Sequence, residues 1–574
     1  MATSVLSRAV VILREPCRPR IQRGGQMLTQ KALNEICEKI DLFIDSRKHI
    51  ELEAYLEKVE DSKFHNSRDQ AHFYYSLGTG HLSFRESFKT SWKKDTAGKA
   101  VKYFRKAMYE DGFKKLPSKI QSRIITNFGA ALLRQGRKFE AIAEFNKAIR
   151  INRNPIALLK KGTTLLHLSD EVFYDSHQIY YQYEAHKILK DIYDNRQKLF
   201  EPDHIADLER DSCTTSFLKW YDENIEYLKD SPYPEEKPRK KSTKKEEAYN
   251  NWCIKNSLYI NDLNEILNNR CAEEDIITLP DLAHLVNPLI TTSDTLALNA
   301  AFSEIKHQYA FARFNYFDAI TSISATKEIE HFSDKRLHLT NSLDYCLYRR
   351  DIEMVKVSFR LLYSCFDKIS ILMKKYLSLD IKDKNVTFSR VWFTDTERVK
   401  TRDYFINSNN TFLLALYWLS RDINDDEDIN HNYWMDSNAL KLADIRNKME
   451  HQGFRVTIDS LHKINKLHTK DTSAIKNEIL QKIEELQATI SASTSDEDTC
   501  NNKESLDHLQ ALLKEEENLR GYPFIITDIE LREQTVRLMK SARHAIIYLA
   551  LGIHHAEKRK PHAENLIGMP VPML

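Results

Sequence analysis

Three observations predict an all-α fold. Glycine (13) and proline (14) are scarce in a chain of 574 residues, well below their usual share of roughly 7% and 5%. Charged residues make up 29% and are finely mixed with apolar ones. Apolar positions recur at helical steps of three and four, with few of the turn signals a strand-rich fold requires. Length allows several domains, each with its own core. A net charge of +2 gives no global field that would announce a nucleic-acid binder. Eight cysteines without a C-x-x-C pair suit reduced thiols in a cytoplasm. The longest apolar runs, TFLLALYWL (411–419) and AIIYLALGI (545–553), are about half of the roughly 20 residues that a membrane helix needs. They read as core helices, so no membrane is expected.

Residues 1–26 are rich in arginine, with Glu15 as their only acid. Such a composition resembles a mitochondrial presequence. The plainer reading, adopted here, is a disordered leader or an upstream start, with the fold opening at Met27.

Residues 27–230 read as helical repeats. Ala100, Phe104 and Ala107 in GKAVKYFRKAM recur 41 residues later as Ala141, Phe145 and Ala148 in FEAIAEFNKAI. Small residues flanking one aromatic suit the contact inside a helical hairpin. Gly129 stands where the first helix of the hairpin would approach the second, Gly162 follows 33 residues later, and Leu77-Gly78 precedes an insertion at 83–94. These positions resemble the tetratricopeptide repeat, whose period is about 34 residues. The chain departs from it at Arg153, where the repeat has its terminal proline, with Pro155 two positions late. The resemblance implies a solenoid that offers a groove to an unknown protein or peptide. A plain helical bundle is the alternative.

Residues 231–247, SPYPEEKPRKKSTKKEE, read as a charged, Pro-containing linker. A helical connector, 248–349, follows; its YNNWCIKNSLYIN stretch suggests no chemistry. From 350 the pattern sharpens. Phe359, Leu362, Phe366, Ile369, Met373 and Tyr376 form one seam. A second apolar helix covers about 405–420, and a third runs from Asp436 or Ser437 as N-cap to His451, with Gly453 as its stop. Val536, Met539, Ala542, Ile546, Leu549 and Ile553 make the last seam. Four such helices form a bundle. Between the third and fourth, 474–490 and 505–519 are heptad-like and joined by a polar loop, so 474–519 reads as an inserted coiled hairpin. Residues 561–574 are a tail.

The third helix carries ADIRNKMEHQGF (443–454). An Arg-x4-His spacing is expected about once by accident in a chain of this composition, and Asn447 directly after Arg446 makes the combination rarer. Five residues of helix put Arg446 and His451 about 140° apart, so they would flank a cleft rather than share a face. The alternative is a wet surface on which Arg446 pairs with Glu450 and His451 caps the helix. His554 and His555 read as surface. No HExxH, Cys cluster, P-loop or paired acidic motif competes.

RNKMEH in the third helix of a bundle resembles the HEPN superfamily (higher eukaryotes and prokaryotes nucleotide-binding). The helix 358–377 with Phe366-Asp367-Lys368 is similar to the first long helix of that domain. The resemblance covers about 350–560; the arm at 474–519 departs from it. It implies a metal-independent endoribonuclease of HEPN type, with Arg446, Asn447 and His451 catalytic and no cofactor or metal. It further implies a homodimer formed through this domain, RNA as substrate, and a toxin or anti-phage defence role regulated through the repeats. The alternative is a non-catalytic helical-repeat interaction protein whose bundle dimerises or binds nucleotide.

Overall fold

The computed structural model describes residues 27–560 apart from 85–86, 93–95, 173, 230–241, 268–271, 283–290, 292–293, 295, 326–330, 340–345, 424–438, 452, 459–475, 477, 491–495 and 520–523. The expected leader, the tail and the Asp436–Ser437 cap therefore lie outside the described residues. So does most of the predicted linker.

The chain is mostly helical. Helices α1 (Gln30–Asp45) and α2 (His49–Val59) pack beside α3 (Ser67–Ser83). Three hairpins follow: α3 with α4 (Thr96–Tyr109), α5 (Ser118–Arg134) with α6 (Lys138–Ile151), and α7 (Pro155–Ser169) with α8 (Asp175–Asp194). Each is closed by the same device. A Cβ added to Gly78 would lie 2.7 Å from the Phe104 ring, one added to Gly129 2.5 Å from the Phe145 ring, and one added to Gly162 2.8 Å from Leu189. Glycine is what lets each first helix lie against a large side chain of the second. Pro155 is the first-turn residue of α7 behind the cap Asn154, whose side chain accepts from the Ile156 amide, a position where proline loses no hydrogen bond. Helices α9 (Pro202–Arg210), α10 (Ser212–Lys229) and α11 (Lys244–Lys255) lead towards the bundle.

The bundle consists of α12 (Ala297–Ala325), α13 (Arg350–Tyr376), α14 (Thr411–Ile423), α15 (Ala439–His451) and, after the arm, a last helix (Asp528–Lys558). Helix α12 runs antiparallel along α13, with Gln308 and Asn315 donating to the carbonyls of Leu361 and Met354. The α13 seam from Phe359 to Met373 is buried, while Tyr376 is half-buried and donates to Glu557 at 2.6 Å. On α14, Phe412 to Ser420 are all buried. That explains its unbroken apolar run: it lies between the repeats and the last helix and has no wet face.

Two elements differ from expectation. Residues 454–457 and 524–527 form strands β1 (Phe454–Thr457) and β2 (Phe524–Thr527), paired in parallel. Each has only four residues, too few for periodicity to separate from a loop. A parallel pair needs a long crossover, and the arm supplies it. In the arm, helix 478–490 is followed by α16 (Asp496–Leu519), which begins nine residues before the predicted 505. Part of the expected polar loop is therefore helical. The last helix is α17 hereafter.

The helical hairpins and the bundle share one core. Trp92 packs on Phe405, Trp392 and Tyr417, and Phe139 packs on Tyr548. Arg105 and Arg137 both donate to Asp422 at the end of α14, and Tyr548 donates to Glu140 at 3.1 Å. Apolar burial between the two halves is thus stitched by buried ion pairs, which are costly to break from one side. The linker reading suggests two bodies free to reorient; the described residues before and after it meet in this shared core. The connector, silent in sequence, is a scaffold: Arg543 of α17 donates to the carbonyls of Tyr259 and Asn261, at 2.5 and 2.6 Å, and pairs with Glu265.

Candidate active site

Helix α15 is held by a seam of Leu442, Ile445 and Met449, all buried. This seam fixes which way the intervening residues face. Arg446, one step past Ile445, is half-buried against α13, its guanidinium 5.6 Å from the centre of the Tyr363 ring, within cation–π range. One turn beyond Tyr363 stands Asp367. Burial raises the pKa of its carboxyl, and Arg446 opposes that rise. A desolvated carboxylate, an aromatic face and a guanidinium thus meet at one spot.

The end of α15 is fastened by Arg360, which donates to the Met449 carbonyl at 2.9 Å and lies 3.2 Å from a Glu450 carboxylate oxygen. Glu450 therefore pairs with Arg360 across the helix contact, not with Arg446 along its own helix. Asn447 and His451 are exposed and, four residues apart, share the outward face. Arg446 donates through Nη1 to the Asn447 side-chain oxygen at 3.0 Å. Asn447 is the link between the inward guanidinium and the outward imidazole face.

Past Gly453 the β-ribbon braces this end. The Gly453 carbonyl accepts from Phe524, whose ring stacks on Phe454 with centres 5.6 Å apart. Lys448 lies 4.7 Å over the Phe524 ring and Lys356 5.6 Å over the Phe454 ring.

Of the residues singled out in sequence, Arg446 and Asn447 are brought into contact, and His451 stays on the exposed face beside Asn447. Sequence reasoning named Asp367 only within Phe366-Asp367-Lys368 and missed Tyr363 and Arg360; the three stand at steps of three and four along α13, but nothing in their spacing ties them to the motif on α15. His554 and His555 are half-buried rather than surface groups, and burial lowers both, His555 to about 4. The crowded end of α17 explains this.

The part of the chain that holds this site is similar to a HEPN family. Residues 290–495 match the family model described as LA2681-like HEPN, a span of less than half the chain. It includes Tyr363, Asp367, Arg446, Asn447 and His451. It also opens ahead of α12, so a helix expected in the connector falls inside the match, whereas α17 falls outside it. No curated protein and no solved structure matches the chain. No helix among the described residues is long and apolar enough to cross a membrane.

Proposed function

We propose that the chain is a metal-independent endoribonuclease of HEPN type that works as a homodimer through its bundle. In this reading it is a toxin or defence effector held in check by its tetratricopeptide-like repeats. The observation that carries the reading is the Arg446–Asn447 contact at 3.0 Å beside an exposed His451. Cleavage without metal needs a base for the ribose 2′-hydroxyl proton and an acid for the departing 5′-oxygen. Histidine titrates in the range for both. Arg446 supplies the fixed cation for charge on the phosphorane. Asn447 holds the guanidinium, which lies against α13, and stands between it and the imidazole face. Each chain offers one such histidine, so a two-fold pair of α15 helices would provide the base from one copy and the acid from the other.

The test is full-length protein with total RNA in EDTA, comparing parent and His451→Ala. Cleavage by the parent alone supports the reading; no cleavage by either, or equal cleavage by both, overturns it. The competing reading is a non-catalytic interaction protein. It is favoured by the separation of Arg446 and His451 onto different sides of α15.

A further inference from the structure

The first helices of the three hairpins, α3, α5 and α7, lie side by side. On α5, Gly129 faces Phe145 of α6, which fixes the side that is buried. The opposite side carries Lys119, Arg123, Asn127, Ala130 and Arg134, exposed or half-buried and stepping by four, four, three and four. Such steps make one stripe along a helix. On α7 the matching stripe is Ile156, Lys160, Thr163 and His167.

The stripes adjoin one another. The Asn127 side chain donates to the Thr79 hydroxyl of α3 at 3.4 Å. Burial raises the Tyr75 hydroxyl of α3, and Arg123 is close enough to oppose the rise. Burial lowers the Lys160 ammonium of α7, and Arg134 beside it adds to the fall. The bundle does not take this side of the hairpins. It reaches them through Arg105 of α4 and through Phe139 and Glu140 of α6.

No acid stands in the stripes of α5 and α7. The side chains of Lys119, Arg123 and Lys160 make no ion pair and no hydrogen bond among the described residues. Asp41 of α1 borders the far edge, beside His72 of α3, so the positive charge is centred on α5 and α7. A partly desolvated ammonium such as that of Lys160 gains from an anion placed beside it.

We propose that this face binds an acidic peptide segment of another protein, its carboxylates on Lys119, Arg123 and Lys160 and its main chain against Asn127 and Thr163. An amide and a hydroxyl each donate and accept, as the main chain of an extended peptide requires. A nucleic-acid strand matches less well. It draws affinity from neutralising many phosphates and from stacking on open aromatic rings, and the two stripes hold few cations and no Phe, Tyr or Trp.

The experiment selects a displayed library of random twelve-residue peptides against the full chain, then measures binding of a synthesised, fluorescein-labelled winner by anisotropy. Selected peptides should be enriched in Asp and Glu. The winner should bind one-to-one, weakened tenfold or more in Arg123→Glu and in Lys160→Glu and unchanged in Lys58→Glu on α2. All three residues are exposed, and thermal melts check that the variants fold. No enrichment of acids, or affinity unchanged in the folded Arg123→Glu and Lys160→Glu proteins, overturns the proposal. A twelve-nucleotide oligouridylate that binds more tightly than the winner, and weakens in the same variants, overturns it in favour of a nucleic-acid surface. None of these readouts needs RNA cleavage, so failure of the nuclease reading and failure of this one are told apart.

Discussion

Asp422 receives the guanidinium of Arg105 on both of its oxygens, at 2.8 and 2.6 Å, across 317 residues of chain. Arg137 donates to the same carboxylate at 2.5 Å. Burial alone would raise the Asp422 carboxyl; the two arginines outweigh it and hold the group well below the usual carboxylate range. One acid at the end of α14 therefore fastens two helical hairpins to the bundle.

Asp422→Ala leaves two buried guanidinium groups without their shared partner. We expect a loss of about 3–5 kcal/mol, read by chemical denaturation. For the same reason a fragment starting at residue 248, which lacks Arg105, Arg137, Glu140 and Trp92, should be far less stable than the full chain. A fragment that unfolds at the parent's denaturant midpoint would contradict this.

Gly136 stands at the same junction, at φ +75°, and an added Cβ would come 2.1 Å from the Thr411 carbonyl oxygen. Both the left-handed backbone and the close approach require glycine. Gly136→Ala should cost more than about 1 kcal/mol, with far-ultraviolet dichroism unchanged, because docking and not helix formation is damaged. An unchanged midpoint would show that the contact is dispensable.

Acid should loosen the scaffold. Burial would raise the Glu265 carboxyl, but Arg543 beside it and hydrogen bonds from His544 and Arg543 lower it to about 2. A depressed carboxylate contributes stability that is fully present above its unfolded value of about 4.3 and is lost as pH falls towards 2. The contribution is about 3 kcal/mol. Denaturation midpoints measured from pH 6 to pH 2.5 should fall across this window, and Glu265→Gln should flatten the fall.

For the proposed chemistry, His451→Ala and Arg446→Lys should each lower RNA cleavage by about 10²–10⁴-fold with little change in melting temperature. His451 is exposed, and lysine keeps the charge of Arg446 but not the forked donors that reach Asn447. Variants that cleave like the parent would remove both residues from the mechanism.

Attack by the 2′-hydroxyl leaves a 2′,3′-cyclic phosphate and a 5′-hydroxyl. End-labelling of the fragments should find those ends in the presence of EDTA. Fragments with 5′-phosphates that form only with added magnesium would point to a different reaction.

The helices and their inner faces can be read from residue spacing. The seams of α13 and α17 and the three glycines of the hairpins were legible because a helix maps spacing of three and four directly onto burial. The sequence also supplied Arg446, Asn447 and His451 as candidates, since residue types and spacing are local properties. Tertiary structure alone decided what those residues face. Tyr363, Asp367 and Arg360 lie on another helix, and no local signal ties them to the motif. It decided the four-residue strands, which become strands only because the arm returns β2 beside β1. It also decided that repeats and bundle form one body. That rests on pairs such as Arg105 with Asp422, where a buried charge needs a partner but nothing in the chain's local pattern states which one.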